Sequence, residues 1–192
     1  QSGFELIVVD DGSTDNTQKV LQKFPDIRSI LLPENRGVSY ARNRGIEVAR
    51  GSLICFLDSD DLWEKGKLEA QVKWLQENPE CQVVYTDEKW IRNGVRVNPM
   101  NKHQKYSGDI FKQCLPLCIV SPSSIMLRKS LLDEVGFFDE SMPVCEDYDL
   151  WLRIAIRYPF KFLSDKLIVN RGGIEAQLSS ILWGMYRWRV YA

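Results

Sequence analysis

The chain is poor in the usual ligands of zinc: it has one histidine, His103, and its five cysteines (Cys55, Cys81, Cys114, Cys118 and Cys145) form no C-x-x-C pair. No recognised zinc spacing is present. Cys114 and Cys118 could share a helix face, but buried free thiols are the commoner use of such residues. An odd number of cysteines, with no charged-then-apolar leader, points to a reducing compartment, and the expected location is the cytoplasm. Long apolar runs are also missing. The stretch from Leu115 to Val120 breaks off well short of the roughly 18 residues a membrane-spanning helix requires. There is no excess of basic charge either: 25 Lys and Arg stand against 26 Asp and Glu, a formal net charge of −1. That balance argues against nucleic acid as a partner. Repeats, low-complexity tracts and linkers are absent, and 192 residues with 44% hydrophobic content suit a single domain.

What is present is an alternation of short apolar runs and helical stripes. Phe4 to Val9 reads as a strand stopping at Asp10-Asp11-Gly12, and Ser13, Thr14 and Asp15 are N-cap candidates for a helix with Val20, Leu21 and Phe24 on its apolar side. Ile27 to Leu32 is a second strand. A stripe from Val38 to Ala49 predicts a helix ended by Gly51; Leu53 to Leu57 is the third strand. Leu68, Val72 and Leu75 mark a helix ending near Asn78-Pro79, before a strand from Cys81 to Thr86. This order predicts crossover connections and a mostly parallel α/β sheet flanked by helices. Beyond it the pattern becomes mixed α+β: a hairpin at Asn93-Gly94, a strand over Ser123 to Leu127, a helix from Lys129 to Val135 closed by Gly136, a helix from Glu146 to Arg157 and a strand from Phe160 to Val169.

Asp10-Asp11 and Asp58-Ser59-Asp60-Asp61 both follow strands. In an open parallel sheet that edge collects the strand-to-helix loops and binds ligands, so the two acidic clusters are expected to face one crevice. Crowded carboxylates at a poorly solvated rim call for a hard divalent cation, Mg²⁺ or Mn²⁺. Taken singly, Asp15 and Asp61 read better as turn or cap residues. A calcium loop starting at Asp58 fails because Trp63 stands where glycine is needed. A phosphatase loop through Asp11-Gly12-Ser13 fails because its nucleophile would be Val9. A phosphoacceptor receiver domain, a signalling switch with an acidic Mg²⁺ pocket, is the non-enzyme alternative. It requires a later strand ending in lysine, which is not evident, and a shorter chain.

The ordered segments "VVDDGSTDNT" (8–17), "ENRGVSYARNRGI" (34–46), "FLDSDD" (56–61), "GFFDE" (136–140) and "EDYDLWLR" (146–153) resemble those of family 2 glycosyltransferases. The resemblance spans nearly the whole chain. It implies the GT-A fold, a Rossmann-like sheet with a mixed acceptor-side half, in one catalytic domain over residues 1–192. Residues 1–97 would form the nucleotide-sugar-binding half and 98–192 the acceptor-side half. The implied reaction is inverting transfer of a sugar from a nucleotide diphosphate donor, UDP-linked, to a hydroxyl of a glycan or lipid-linked acceptor. A metal bridging the diphosphate would stabilise the charge of the leaving group. By this similarity Asp60 is a metal ligand, and Asp58 assists it or binds the ribose. Asp11, with Asp10 as its neighbour, bonds the nucleobase, and Asn35, Arg36, Gly37 and Arg42 surround the nucleotide. Arg36 and Arg42 read equally as solvated helix-face charges. Asp147 matches the family's catalytic base, with Glu146 supporting it or capping its helix. Trp151, Leu152, Ile154 and Ile156 are expected in the core.

Two departures qualify the resemblance. Relatives begin with one more strand, which would be central in the sheet, whereas this chain starts at Gln1 just before the next one. A missing strand is therefore expected to leave backbone groups unpaired and the nucleotide pocket incomplete, with weak activity. Many relatives also carry histidine where Ile174 stands, and an aliphatic side chain cannot ligate a cation. The tail, with Trp183, Tyr186, Arg187, Trp188 and Arg189, suits either a helix packed across the domain or peripheral contact with a membrane surface.

Overall fold

The computed structural model describes residues 3–172 and 185–192. Two sheets organise it. In the smaller, β1 (Ile7–Asp10) pairs in parallel with β2 (Arg28–Leu31), and α1 (Thr17–Leu21) connects them. The larger runs in the order β3 (Leu53–Cys55), β7 (Ile125–Arg128), β5 (Val83–Arg92), β8 (Lys161–Gly172) and β4 (Leu62–Trp63), with β6 (Val95–Val97) hairpinned onto β5. Among the described residues, β1 and β3 each keep one edge without a strand partner. Among the described residues six more α-helices follow: α2 (Val38–Val48), α3 (Lys67–Glu77), α4 (Phe111–Cys114), α5 (Lys129–Val135), α6 (Glu146–Ala155) and α7 (Met185–Tyr191).

The sheet is mixed, not mostly parallel. Among the described strands, only β1–β2 and β5–β8 run parallel; β3–β7, β5–β7, β4–β8 and β5–β6 are antiparallel. The cause is β7, which enters from a 3₁₀ turn at Pro122–Ser124 and slots between β3 and β5 in the opposite sense. Ile125, Met126 and Leu127 are fully buried, as are Val83, Val84 and Tyr85 opposite them. An unbroken apolar run marks a strand covered on both faces but carries no mark of direction. The hairpin is as expected: Asn93 and Gly94 have φ of 51° and 77°, the paired left-handed conformation of a two-residue turn matched to strand twist.

Three local expectations are corrected. α1 is short and lacks a side-chain cap, although Asp15 accepts hydrogen bonds from Thr17 N and Oγ1 at 2.8 and 2.6 Å. Its Val20 and the following Phe24 are exposed, because a two-stranded sheet presents too little face to cover them. α4 ends at Cys114, so Cys118 shares no helix face with it. All five cysteines are free.

The third correction concerns α6, whose Leu150, Trp151 and Ile154 are buried on all sides. Phe138 meets the Trp151 ring edge-on at 6.2 Å and Phe56 at 5.2 Å, a geometry that adds to plain area burial. Ile156 lies beyond the last helical residue and is 66% exposed. Trp151→Ala should therefore destabilise the protein by about 3–5 kcal/mol in urea unfolding. Ile156→Ala should change stability by no more than about 0.5 kcal/mol. Equal losses at the two positions would show that α6 is not anchored by Trp151.

Candidate active site

The acidic turn after β1 closes onto the loop before α2. Gly12 has φ +74°, and a Cβ there would lie 2.6 Å from the backbone of Glu34 and Asn35, so only glycine permits the approach. Asp11 accepts hydrogen bonds from Arg36 N at 2.9 Å and Gly37 N at 2.8 Å. It thus binds the positive end of α2 as an external cap. Asn35, Arg36 and Gly37 consequently sit beside Asp11, as the sequence implied, but two of the loop's amides are already occupied. Asp10 differs from its neighbour: it is buried, one oxygen accepts Ser13 N at 3.0 Å, and Oδ2 has no partner among the described residues. Arg36 is exposed, with its guanidinium 4.0 Å from the Tyr40 ring centre.

One turn along α2, Arg42 joins distant parts of the chain. Its guanidinium donates to Asp58 Oδ1 at 2.6 Å and to Glu146 Oε1 at 2.5 Å, with only 12% of the side chain exposed. It is not a solvated helix-face charge. Burial works against its charge, but Asp58, Glu146 and Asp147 more than offset this and raise its pKa. On either side α2 is fixed to the second half of the chain. Asn43 exchanges hydrogen bonds with Phe138 O and N at 2.9 and 3.1 Å, and Ser39 Oγ donates to Met142 O at 3.4 Å.

Glu146 and Asp147 open α6 behind Cys145, whose φ of 62° is a left-handed conformation that side chains other than glycine rarely adopt. This sharp entry leaves Asp147 Oδ1 to accept Tyr148 N at 2.7 Å, while Cys118 Sγ lies 3.6 Å from Oδ2. Burial, then the adjoining Glu146 charge, pushes the Asp147 pKa up to about 6 against the opposing pull of Arg42. Cys118 is held as the neutral thiol by burial and by Asp147. The position of Cys118 beside this carboxylate has no signal in sequence spacing.

The loop carrying Asp58, Asp60 and Asp61 is held from beneath. Asp61 N donates to Asp58 O at 3.0 Å, closing a turn, and the buried Asp61 carboxylate accepts Arg171 N at 3.0 Å. Burial raises its pKa to about 6. Asp58 N donates to Ser123 Oγ at 3.1 Å, and Trp63 Nε1 to Ser123 O at 2.9 Å. Reading Asp61 as a plain turn residue missed its tie to β8, since nothing in the sequence pairs it with Arg171.

Asp58 and the half-buried Asp60 lie on one loop. No group of three or more His, Cys, Asp or Glu among the described residues converges to hold a metal unaided. Such a set fits Mg²⁺ or Mn²⁺ taken up with a diphosphate, since these ions typically use one or two carboxylates together with substrate oxygens and water. His103 packs 4.7 Å from the Trp90 ring, and burial lowers its pKa. Ile174 and Trp183 lie outside the described residues. Of the tail, Met185 and Trp188 pack against the core while Val190 and Tyr191 are exposed. No helix among the described residues is long and apolar enough to cross a membrane.

This arrangement has counterparts. The family model described as Glycosyl transferase family 2 matches residues 1–136. The chain is 32% identical over 181 residues to an uncharacterized glycosyltransferase of Rickettsia felis, covering 93% of this chain and 28% of that protein. It is 34% identical over 155 residues to Escherichia coli WfgD, named a UDP-Glc:alpha-D-GlcNAc-diphosphoundecaprenol beta-1,3-glucosyltransferase, covering 80% of this chain and 58% of that one. The crystal structure of S. aureus TarS in complex with UDP-GlcNAc superposes with a TM-score of 0.76 at 25% identity, covering 93% of this chain and 52% of that chain. The architecture is therefore α/β of the GT-A kind, and this chain spans little more than half of the longer proteins it matches, or less. On the family match over residues 1–136, the chain belongs to glycosyl transferase family 2.

Proposed function

We propose that this chain carries the donor site and catalytic base of an inverting glycosyltransferase acting on a UDP-linked sugar. The observation that carries the reading is the bridge made by Arg42, which holds the Asp58 loop and the Glu146-Asp147 pair against one guanidinium. Family membership favours the enzyme over the receiver alternative. The named relatives, one using UDP-Glc and one crystallised with UDP-GlcNAc, support the donor class.

In this reading Asp147 takes the proton of the acceptor hydroxyl as its oxygen attacks the anomeric carbon, and the bond to the nucleoside diphosphate breaks on the opposite face. Glu146 keeps Arg42 in place and, by its charge, strengthens Asp147 as a base. Asp60 and Asp58 would hold Mg²⁺ or Mn²⁺, which neutralises the leaving diphosphate when bound. Asp11, with the buried Asp10 as its neighbour, would bind the nucleobase at the end of β1. Asp11 also ties down the loop at Arg36 and Gly37, so that Asn35, Arg36 and Gly37 would surround the nucleotide, with the exposed Arg36 available to a phosphate. The acceptor is a glycan or lipid-linked glycan, a reading supported by the diphosphoundecaprenol acceptor in the name of WfgD.

UDP with Mn²⁺ should raise the melting temperature of the intact protein. At a ligand concentration about 100 times Kd the stabilisation is about 2.7 kcal/mol, or about 5–10 °C for a chain of this size. Asp60→Ala should abolish the rise; an unchanged shift would remove Asp60 from the metal site. Asp147→Asn should lower turnover by at least about 100-fold, and wild-type turnover should climb as pH passes about 6 and then level off. Stability should move the other way. A carboxyl whose folded pKa is raised from 3.8 to about 6 destabilises the fold once both states are ionised. Asp147→Asn should therefore melt higher than wild type at pH 7.5, with the gain vanishing below pH 4. A variant that is inactive but no more stable at pH 7.5 would count against the burial of this charge.

A further inference from the structure

We propose that Ser123 is a positioning residue for the candidate metal loop, holding Asp58 and Trp63 at once and thereby setting how Asp58 and Asp60 meet a cation. The inference rests on the donor-site reading above. Ser123 is fully buried, so it is placed to act through its contacts and not on a ligand directly. Its hydroxyl accepts Asp58 N at 3.1 Å and its carbonyl accepts Trp63 Nε1 at 2.9 Å. These two bonds hold either side of the turn that Asp61 N closes on Asp58 O, and Asp60 lies within that turn.

The support beneath Ser123 is itself immobilised. Ser121 Oγ donates to Glu88 Oε1 at 2.6 Å, and Glu88 is buried in a pair with Lys105 at 2.8 Å. On the other side Gln71 Nε2 donates to Ser124 O at 2.9 Å, and Ser124 Oγ returns to Ser121 O at 2.8 Å. The turn from Ser121 to Ser124 is thus a rigid block tied to β5 and α3, and Ser123 is where that block meets the acids. Removing the hydroxyl would free the Asp58 amide, letting the loop take other shapes while the block stays in place.

The test measures Mn²⁺ and UDP binding to the intact protein by calorimetry, together with hydrogen exchange of the peptide spanning residues 57–63. Loss of a hydrogen-bonding partner behind metal ligands typically weakens metal affinity about 10–100-fold. Ser123→Ala should weaken Mn²⁺ binding in the presence of UDP to that extent, change metal-free UDP binding by less than about 3-fold, and speed exchange in 57–63 but not in α6. Ser123→Cys, of similar shape with weaker hydrogen bonds, should shift both readouts in the same direction by less. It serves as the test if the alanine variant does not fold. A folded variant with unchanged Mn²⁺ affinity, or with unchanged exchange at 57–63, overturns the proposal. If the wild type binds no UDP with Mn²⁺, the donor-site reading falls, and exchange at 57–63 then decides the positioning role alone.

Discussion

The arrangement depends on a single buried guanidinium. Arg42 faces Asp58, Glu146 and Asp147, three carboxylates against this guanidinium, a local surplus of negative charge. Within reach of a low-dielectric interior such a surplus is costly, and it is relieved either by a proton or by a further positive charge. The raised pKa of Asp147, owed first to burial and then to the Glu146 charge, marks the first route. The second is the physical ground for expecting a cation beside Asp58 and Asp60. A carboxylate dyad left slightly over-charged is also a better proton acceptor than one fully neutralised, so the same imbalance suits both binding and base chemistry.

Around that charge the fold supplies two rigid supports. α2 is capped at its start by Asp11, reached across the close approach at Gly12, and clamped along its length to Phe138 and Met142. The Ser121–Ser124 turn fixes the acid loop from the opposite side. The acids themselves therefore need little rigidity of their own. A loop rich in aspartate would splay under self-repulsion, and here its amides and its innermost carboxylate are tied down.

How much of this could be read from residues alone varies with the kind of interaction. Helices with a clear apolar stripe and a glycine stop, α2 and α5, fall within a residue of their expected bounds, because periodicity and capping are local. The Asn93-Gly94 hairpin is legible for the same reason. Strand direction is not: β7 presents the same continuous apolar run in either sense, and its antiparallel placement is decided by a turn at Pro122 and by neighbours far away in sequence. The apolar side of α1 is equally illegible, because its stripe does not say whether a sheet broad enough to cover it exists. At the site, residue types were legible and partners were not. Arg42 stood out as a basic residue near the nucleotide, but its pairing with Glu146 crosses 104 residues, and Ser123 looked like any serine before a strand.

That separation has a bearing on how the molecule assembles. The contacts that clamp α2 reach forward by 95 to 104 residues, and such long-range closures form late, after local elements are in place. While the chain is being made, Arg42 can meet Asp58 long before Glu146 has emerged. A nascent or truncated chain ending before α6 would thus carry an acid loop and a half-satisfied arginine at an open surface, which makes this seam a natural place for chaperones or proteases to tell finished molecules from unfinished ones.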